Sequence, residues 1–143
     1  MKNKIFKTIL IKMFLLIFFC TNLYAQNNFF NEGKKLFDKN EYDEAKLSFE
    51  KDIVYNPKNE NSYLFLAKIF NKQKDSLQEE RNLNTVVLLN PKNEEAIYHL
   101  ALLSIKRSNY KKTSSLITKF KSICIKLCDL EKELSLKLKN SLK

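Results

Sequence analysis

Apolar residues recur at three- and four-residue steps from Phe29 to Leu138, and short polar stretches break the pattern at regular intervals. Phe29, Leu36 and Phe37 form one stripe, Ala45, Phe49 and Ile53 the next, and Asp38 to Glu41 lies between them. Tyr63, Leu66, Ala67 and Phe70 precede Leu83, Val86 and Val87, with Lys72 to Ser76 as the break. Ile97, Leu100, Ala101 and Ile105 run up to Ser108-Asn109, and Tyr110, Ile117 and Phe120 continue beyond it. This is helical spacing, and no run alternates as a strand does. The polar breaks read as turns of helical hairpins. Asn56-Pro57 and Asn90-Pro91 close two of the helices, because proline lacks a backbone donor and restricts the residue before it. After Lys126, Leu127, Leu130, Leu134 and Leu138 step by three, four and four. That stripe predicts a last helix over 127–143, covering the apolar face that an open stack would otherwise expose.

The breaks are periodic because the sequence is. Asn-Pro-Lys-Asn-Glu occurs at Asn56 to Glu60 and again, 34 residues on, at Asn90 to Glu94. A fixed period of this size marks stacked repeats. The units run over 26–59, 60–93 and 94–126. Each resembles the tetratricopeptide repeat, a helix-turn-helix of 34 residues with small residues at the helix crossing, an aromatic after the turn and a closing proline. Gly33, Tyr42, Ala45, Phe49 and Pro57 match in the first unit, and Ala67, Phe70 and Pro91 in the second. Ser76 and Glu79 depart from the pattern there. The third unit keeps Ala101 and Tyr110 but has Thr113 and Ile125 in place of alanine and proline. The resemblance implies an all-α fold: three stacked hairpins in a short right-handed superhelix, plus the capping helix. It does not by itself imply a function.

The first 25 residues read as a leader. Lys2, Lys4, Lys7 and Lys12 precede the unbroken apolar run Met13 to Cys20, and Ala25 offers a small residue for cleavage before Gln26. The run is short for a membrane span. Export follows, to the periplasm or a surface-facing part of a bacterial envelope. Membrane contact is expected only if the leader is retained or Cys20 is lipidated; Phe18 and Phe19 occupy places where a lipidation site wants small residues. The formal net charge of +10 falls by the four leader lysines on cleavage, and the remaining excess lies from Glu94 onward. Lys106, Lys111, Lys112, Lys119 and Lys126 alternate there with apolar positions, as on a solvated helical face. With export, this argues against a nucleic-acid partner.

Chemistry is sparse. One glycine, Gly33, cannot build a phosphate loop, and one histidine, His99, cannot make a metal set. No nucleophile motif, catalytic residue, metal site or cofactor is expected, and the chain reads as a non-enzymatic interaction module. Glu79-Glu80 and Glu94-Glu95 sit at helix starts, where the macrodipole favours acids. Cys124 and Cys128 bracket the junction with the last helix; a disulfide and two thiols on one helical face are both open. The resemblance implies a concave groove lined by the first helix of each unit. Its residues are Phe30, Asn31, Lys34 and Phe37, then Leu64, Phe65, Lys68 and Asn71, then Tyr98, His99, Leu102 and Ile105. They form columns, Phe30-Leu64-Tyr98 and Lys34-Lys68-Leu102, suited to a protein or peptide segment with apolar anchors and an acid. Family members that clamp a terminal carboxylate use Lys, Arg and Asn where this chain has Phe30, Phe65, Glu95 and His99, so a clamp is not expected. The rival expectations are that these aromatics only pack between helices, and that the chain is a structural subunit held permanently in an oligomer or envelope complex.

Overall fold

The computed structural model describes Lys12, Met13 and residues 28–142. From Phe29 onward these form seven helices and no strand: α1 Phe29–Asp38, α2 Tyr42–Tyr55, α3 Glu60–Lys72, α4 Ser76–Leu89, α5 Glu94–Lys106, α6 Tyr110–Ile123 and α7 Leu130–Ser141. Helices α1/α2, α3/α4 and α5/α6 pair as hairpins. Successive hairpins stack through α2 on α3 and α4 on α5, and α7 packs on both α5 and α6. The all-α stack of helical hairpins expected from the periodicity is what forms. The expected leader and cleavage point, and Cys20, lie outside the described residues, apart from Lys12 and Met13.

Each hairpin turn solves the same backbone problem. Asn40, Lys74 and Ser108, spaced by the repeat, have φ of 64, 61 and 55°. In each turn the next residue donates its N–H back five positions: Glu41 to Leu36, Asp75 to Phe70 and Asn109 to Ser104. This left-handed closure satisfies carbonyls that a helix end leaves open. Two of those residues then cap the following helix. Asp75 accepts from the Gln78 N–H and Asn109 from the Lys112 N–H. Asparagine tolerates the left-handed region; serine gains less there and lysine least. Ser108→Gly and Lys74→Gly are each expected to stabilise the fold by about 1 kcal/mol, read as a rise in melting temperature. Asn40→Gly should change little.

The repeated pentapeptide joins one hairpin to the next. Asn59 and Asn93 cap α3 and α5 through Asn61 N–H and Ala96 N–H. The glutamate that ends each copy reaches forward to the next junction. Glu60 accepts from the side chains of Asn90 at 2.8 Å and Asn93 at 3.2 Å. Glu94 accepts from the backbone N–H of Leu127 at 2.8 Å and of Lys126 at 3.1 Å, which holds its carboxyl below the usual range, the Leu127 bond contributing most. The helix-start acids therefore do more than complement a dipole. Glu80 likewise binds Lys112 and Arg107 of the next hairpin.

The core is a chain of three clusters. Ala45, Phe49, Leu66, Ile69 and Phe70 fill the first junction. Leu64, Ala67, Leu83, Val86, Ala96 and Leu100 fill the second. Ile97, Ala101, Ile117, Phe120 and Leu134 fill the third, with Leu127, Leu130 and Leu138 packed against them. Thus α7 lays its leucine stripe on the last hairpin. The first two junctions differ in one respect. Asp52, 2% exposed, faces Ser62, 0% exposed, where the second junction has Val86 and Ala96 at the equivalent positions. The Asp52 carboxylate accepts from Asn59 Nδ2 at 2.6 Å, Asn56 Nδ2 at 3.0 Å and the Ser62 hydroxyl.

Candidate functional site

The first helices of all three hairpins, with α4 behind them, enclose an open cleft of about 370 Å³. Its apolar lining is Phe37, Ala67 and Leu83; its polar groups are Lys68, Asn71, Lys72, Glu79, Glu95 and His99. Beside it stands an aromatic cluster. The Phe65 ring lies 5.0 Å from Phe49, 5.1 Å from Phe37 and 5.9 Å from Phe30, centroid to centroid. These separations are those of stacked and edge-on pairs. The cluster fixes α1, α2 and α3 together and so holds Phe37 at the mouth of the cleft.

The cleft's charges are largely matched within the chain. The Lys68 ammonium lies 2.6 Å from Glu95 Oε1 and 4.8 Å above the Phe65 ring. His99 Nε2 stands 3.7 Å from the same carboxylate oxygen. The His99 imidazole and the closer Lys68 ammonium hold the Glu95 carboxyl down to about 2. Glu79 is 3% exposed and accepts from Asn71 Nδ2 at 2.9 Å. It occupies the place where the first hairpin has Ala45.

A depressed carboxyl pKa stabilises the folded state above the unfolded value and loses that contribution as pH falls through the folded one. Glu95→Gln is therefore expected to lower the melting temperature above about pH 4.5. The gap to the parent should close as pH falls from 4.5 towards 2. A pH-independent gap would show that the Lys68–Glu95–His99 contact contributes no charge interaction.

Of the twelve groove residues expected from sequence, Phe37, Lys68, Asn71 and His99 line the cleft. Phe30 and Phe65 flank it in the aromatic cluster. Asn31 and Lys34 are exposed on α1. Leu64 does not reach the groove. It is 5% exposed and packs in the second core cluster, because it points from α3 towards Ala96 and Leu100. Tyr98, Leu102 and Ile105 pack against the third core cluster, which contains Leu134 of α7. Tyr98 donates its hydroxyl to Glu133 of α7 at 3.2 Å, and burial, then Glu133, raises its pKa. The Phe30-Leu64-Tyr98 column is thus not an open aromatic strip, and the cation at Lys68 is already paired. Cys124 and Cys128 are joined in a disulfide with Cα atoms 5.2 Å apart.

Sequence reasoning missed Glu79, Lys72 and the Glu95 pairing as parts of one site. A signal for Glu79 was present: it is a charged residue at a repeat position that holds Ala45 and Thr113 in the other units. No spacing rule marks the Lys68–Glu95 contact, which joins different hairpins.

Neither a family model nor a curated protein matches the sequence. Solved structures do match the fold. The yeast Sti1 TPR2B domain, solved in complex with pHsp70, aligns with a TM-score of 0.70 at 17% identity, over 76% of this chain and 91% of that one. The first TPR domain of Spaghetti (RPAP3), bound to the HSP90 peptide SRMEEVD, gives 0.71 at 19% identity over 80% and 90%. The Arabidopsis OM64 TPR domain gives 0.71 at 17% identity over 83% and 98%. The chain therefore has the fold of tetratricopeptide-repeat domains.

Proposed function

We propose that this chain is a non-enzymatic protein-interaction module that holds an extended partner segment in the cleft between its three hairpins. The observation that carries this reading is the cleft itself: an apolar floor of Phe37, Ala67 and Leu83 under a polar rim, open to solvent. Two similar folds, Sti1 TPR2B and the first domain of Spaghetti, were solved in complex with pHsp70 and with an HSP90 peptide, which supports a peptide as occupant. The rim argues against capture of a terminal carboxylate. Glu95, ionised down to about pH 2, sits where such a group would approach and already neutralises Lys68. An internal segment with an apolar anchor fits better.

We place the module outside the bacterial cytoplasm, in the periplasm or the cell envelope. The basic and apolar leader ending at Ala25 and the Cys124–Cys128 bond support this. A second reading, as a permanently packed structural subunit, draws on Val54 and Leu88. They are 75% and 80% exposed at equivalent positions of α2 and α4, an apolar pair on the outer face. Sedimentation across a range of concentrations separates self-assembly from adaptor behaviour.

A photo-cross-linking residue placed at His99, in the cleft, and at Lys58, on the inter-hairpin loop, tests the site. Capture of an envelope protein from position 99 and not from 58 is expected. Capture from 58 alone would move the binding surface off the cleft.

A further inference from the structure

The third junction replaces the punctuation used at the first two. Position by position, Asn-Pro-Lys-Asn-Glu becomes Cys124-Ile125-Lys126-Leu127-Cys128. The proline that stops α2 and α4 from running on is Ile125 here, and the capping asparagine is Leu127. No residue from Cys124 to Asp129 is a helix breaker. The start of α7 is also uncapped. Asp129 precedes it with helical φ and ψ of −63 and −26°, and its side chain makes no capping bond. Leu130 and Glu131 already donate backwards to Leu127 and Cys128. Two things hold the bend: the Cys124–Cys128 bond and the grip of Glu94 on the Lys126 and Leu127 N–H groups. In an unbroken α-helix those two N–H groups would bond to carbonyls four residues back instead.

We propose that the disulfide is a conditional substitute for the missing proline, and that its reduction turns the chain into a cap-exchanging dimer. Cys128 is exposed, so a dithiol can reach it. Thiol–disulfide exchange breaks the S–S bond, leaves two thiols on this chain and converts the dithiol to its own disulfide; two electrons and two protons move to the protein. With the bond gone, α6 and α7 run on as one helix through residues 124–129. Its far end can no longer fold back onto its own hairpin. Leaving the α7 stripe in water would cost far more than the new helical bonds return, since Leu134 is fully buried and Leu127, Leu130 and Leu138 are packed. A second copy removes that cost. Each α7 lies on the other copy's third hairpin, reproducing the leucine packing and the Tyr98–Glu133 bond, while both copies keep the added helical turn. This inference does not depend on what the cleft holds.

The test is light scattering with circular dichroism on the purified chain, oxidised and after dithiothreitol, over a concentration series. Cys124→Ser/Cys128→Ser serves as a permanently reduced form. A second variant, Cys124→Asn/Ile125→Pro/Cys128→Ser, restores the Asn-Pro stop without a disulfide. The oxidised chain should be a monomer. The reduced chain and the serine variant should dimerise as concentration rises, gaining helix equivalent to about six residues per chain. The Asn-Pro variant should stay monomeric with or without reductant. A reduced chain that remains monomeric overturns the exchange, whether or not its helix content changes. So does a dimer without added helix, or an Asn-Pro variant that dimerises as readily as the serine form.

Discussion

Phe49→Ala is expected to lower stability by about 3 to 5 kcal/mol, the largest single-residue effect in the molecule. The ring is fully buried and packs from α2 against α1 and α3. It packs on Gly33, where a Cβ would come within 2.8 Å of its edge. It also stacks on Phe65 and lies near Phe30. Removing it leaves a cavity between α1, α2 and α3 and frees the aromatic group that sets the cleft mouth. For the same reason Gly33→Leu should overpack the crossing by about 1 to 3 kcal/mol. The check is chemical denaturation of both variants, and of Phe49→Leu, Gly33→Ala and the double Phe49→Leu/Gly33→Ala as a cycle. A smaller side chain at 49 leaves room for the methyl at 33, so this pair should be milder than the sum of its singles. Strict additivity would mean that the ring and the glycine do not share one space.

Asp52→Val should cost about 2 to 3 kcal/mol, and adding Ser62→Ala should recover most of that loss. The single change leaves the fully buried Ser62 hydroxyl proton without its acceptor, although Asn59 Nδ2 still donates to the oxygen at 3.1 Å, and weakens the hold on Asn56 and Asn59. An unpaired buried polar group costs about 1 to 3 kcal/mol, whereas replacing both partners by apolar groups of similar shape can be nearly neutral. The second junction already uses that apolar solution, with Val86 and Ala96 both 0% exposed. Urea denaturation of the two singles and the double closes the cycle. A double variant as unstable as the two losses summed would show that the pair is not exchangeable between junctions.

The hairpins were legible because period and stripe agree: a 34-residue recurrence and three- and four-residue steps admit few other folds. Gly33 and Ala45 were legible as crossing residues because only small side chains fit there. The polar interior was not. Asp52 and Ser62 look like ordinary surface residues when read along the chain, and become conspicuous only when aligned with Val86 and Ala96. The groove was legible in part. Counting positions along α3 places Leu64 on the same stripe as Phe30 and Tyr98, but its side chain packs in the core with Ala96 and Leu100. Tyr98 keeps its place on that stripe but meets Glu133 of α7, a contact that the repeat period does not encode because α7 lies outside it.

Glu60 and Glu94 give the stack a property that no hairpin has alone. Each carboxylate belongs to one hairpin and satisfies donors of the junction beyond it. In a linear array, stability divides into the strength of each unit and the coupling between neighbours. The bond to Asn90 closes Glu60's own hairpin, but those to Asn93, which caps α5, and to Leu127, which leads into α7, fall in the coupling, since unfolding either neighbour loses them. Short arrays with weak coupling fray unit by unit from their ends; strong coupling makes them melt as one. Glu60→Ala or Glu94→Ala should accordingly broaden the unfolding transition more than it shifts the midpoint. A change of one side chain would then alter how many parts the molecule has, in the thermodynamic sense, with its fold unchanged.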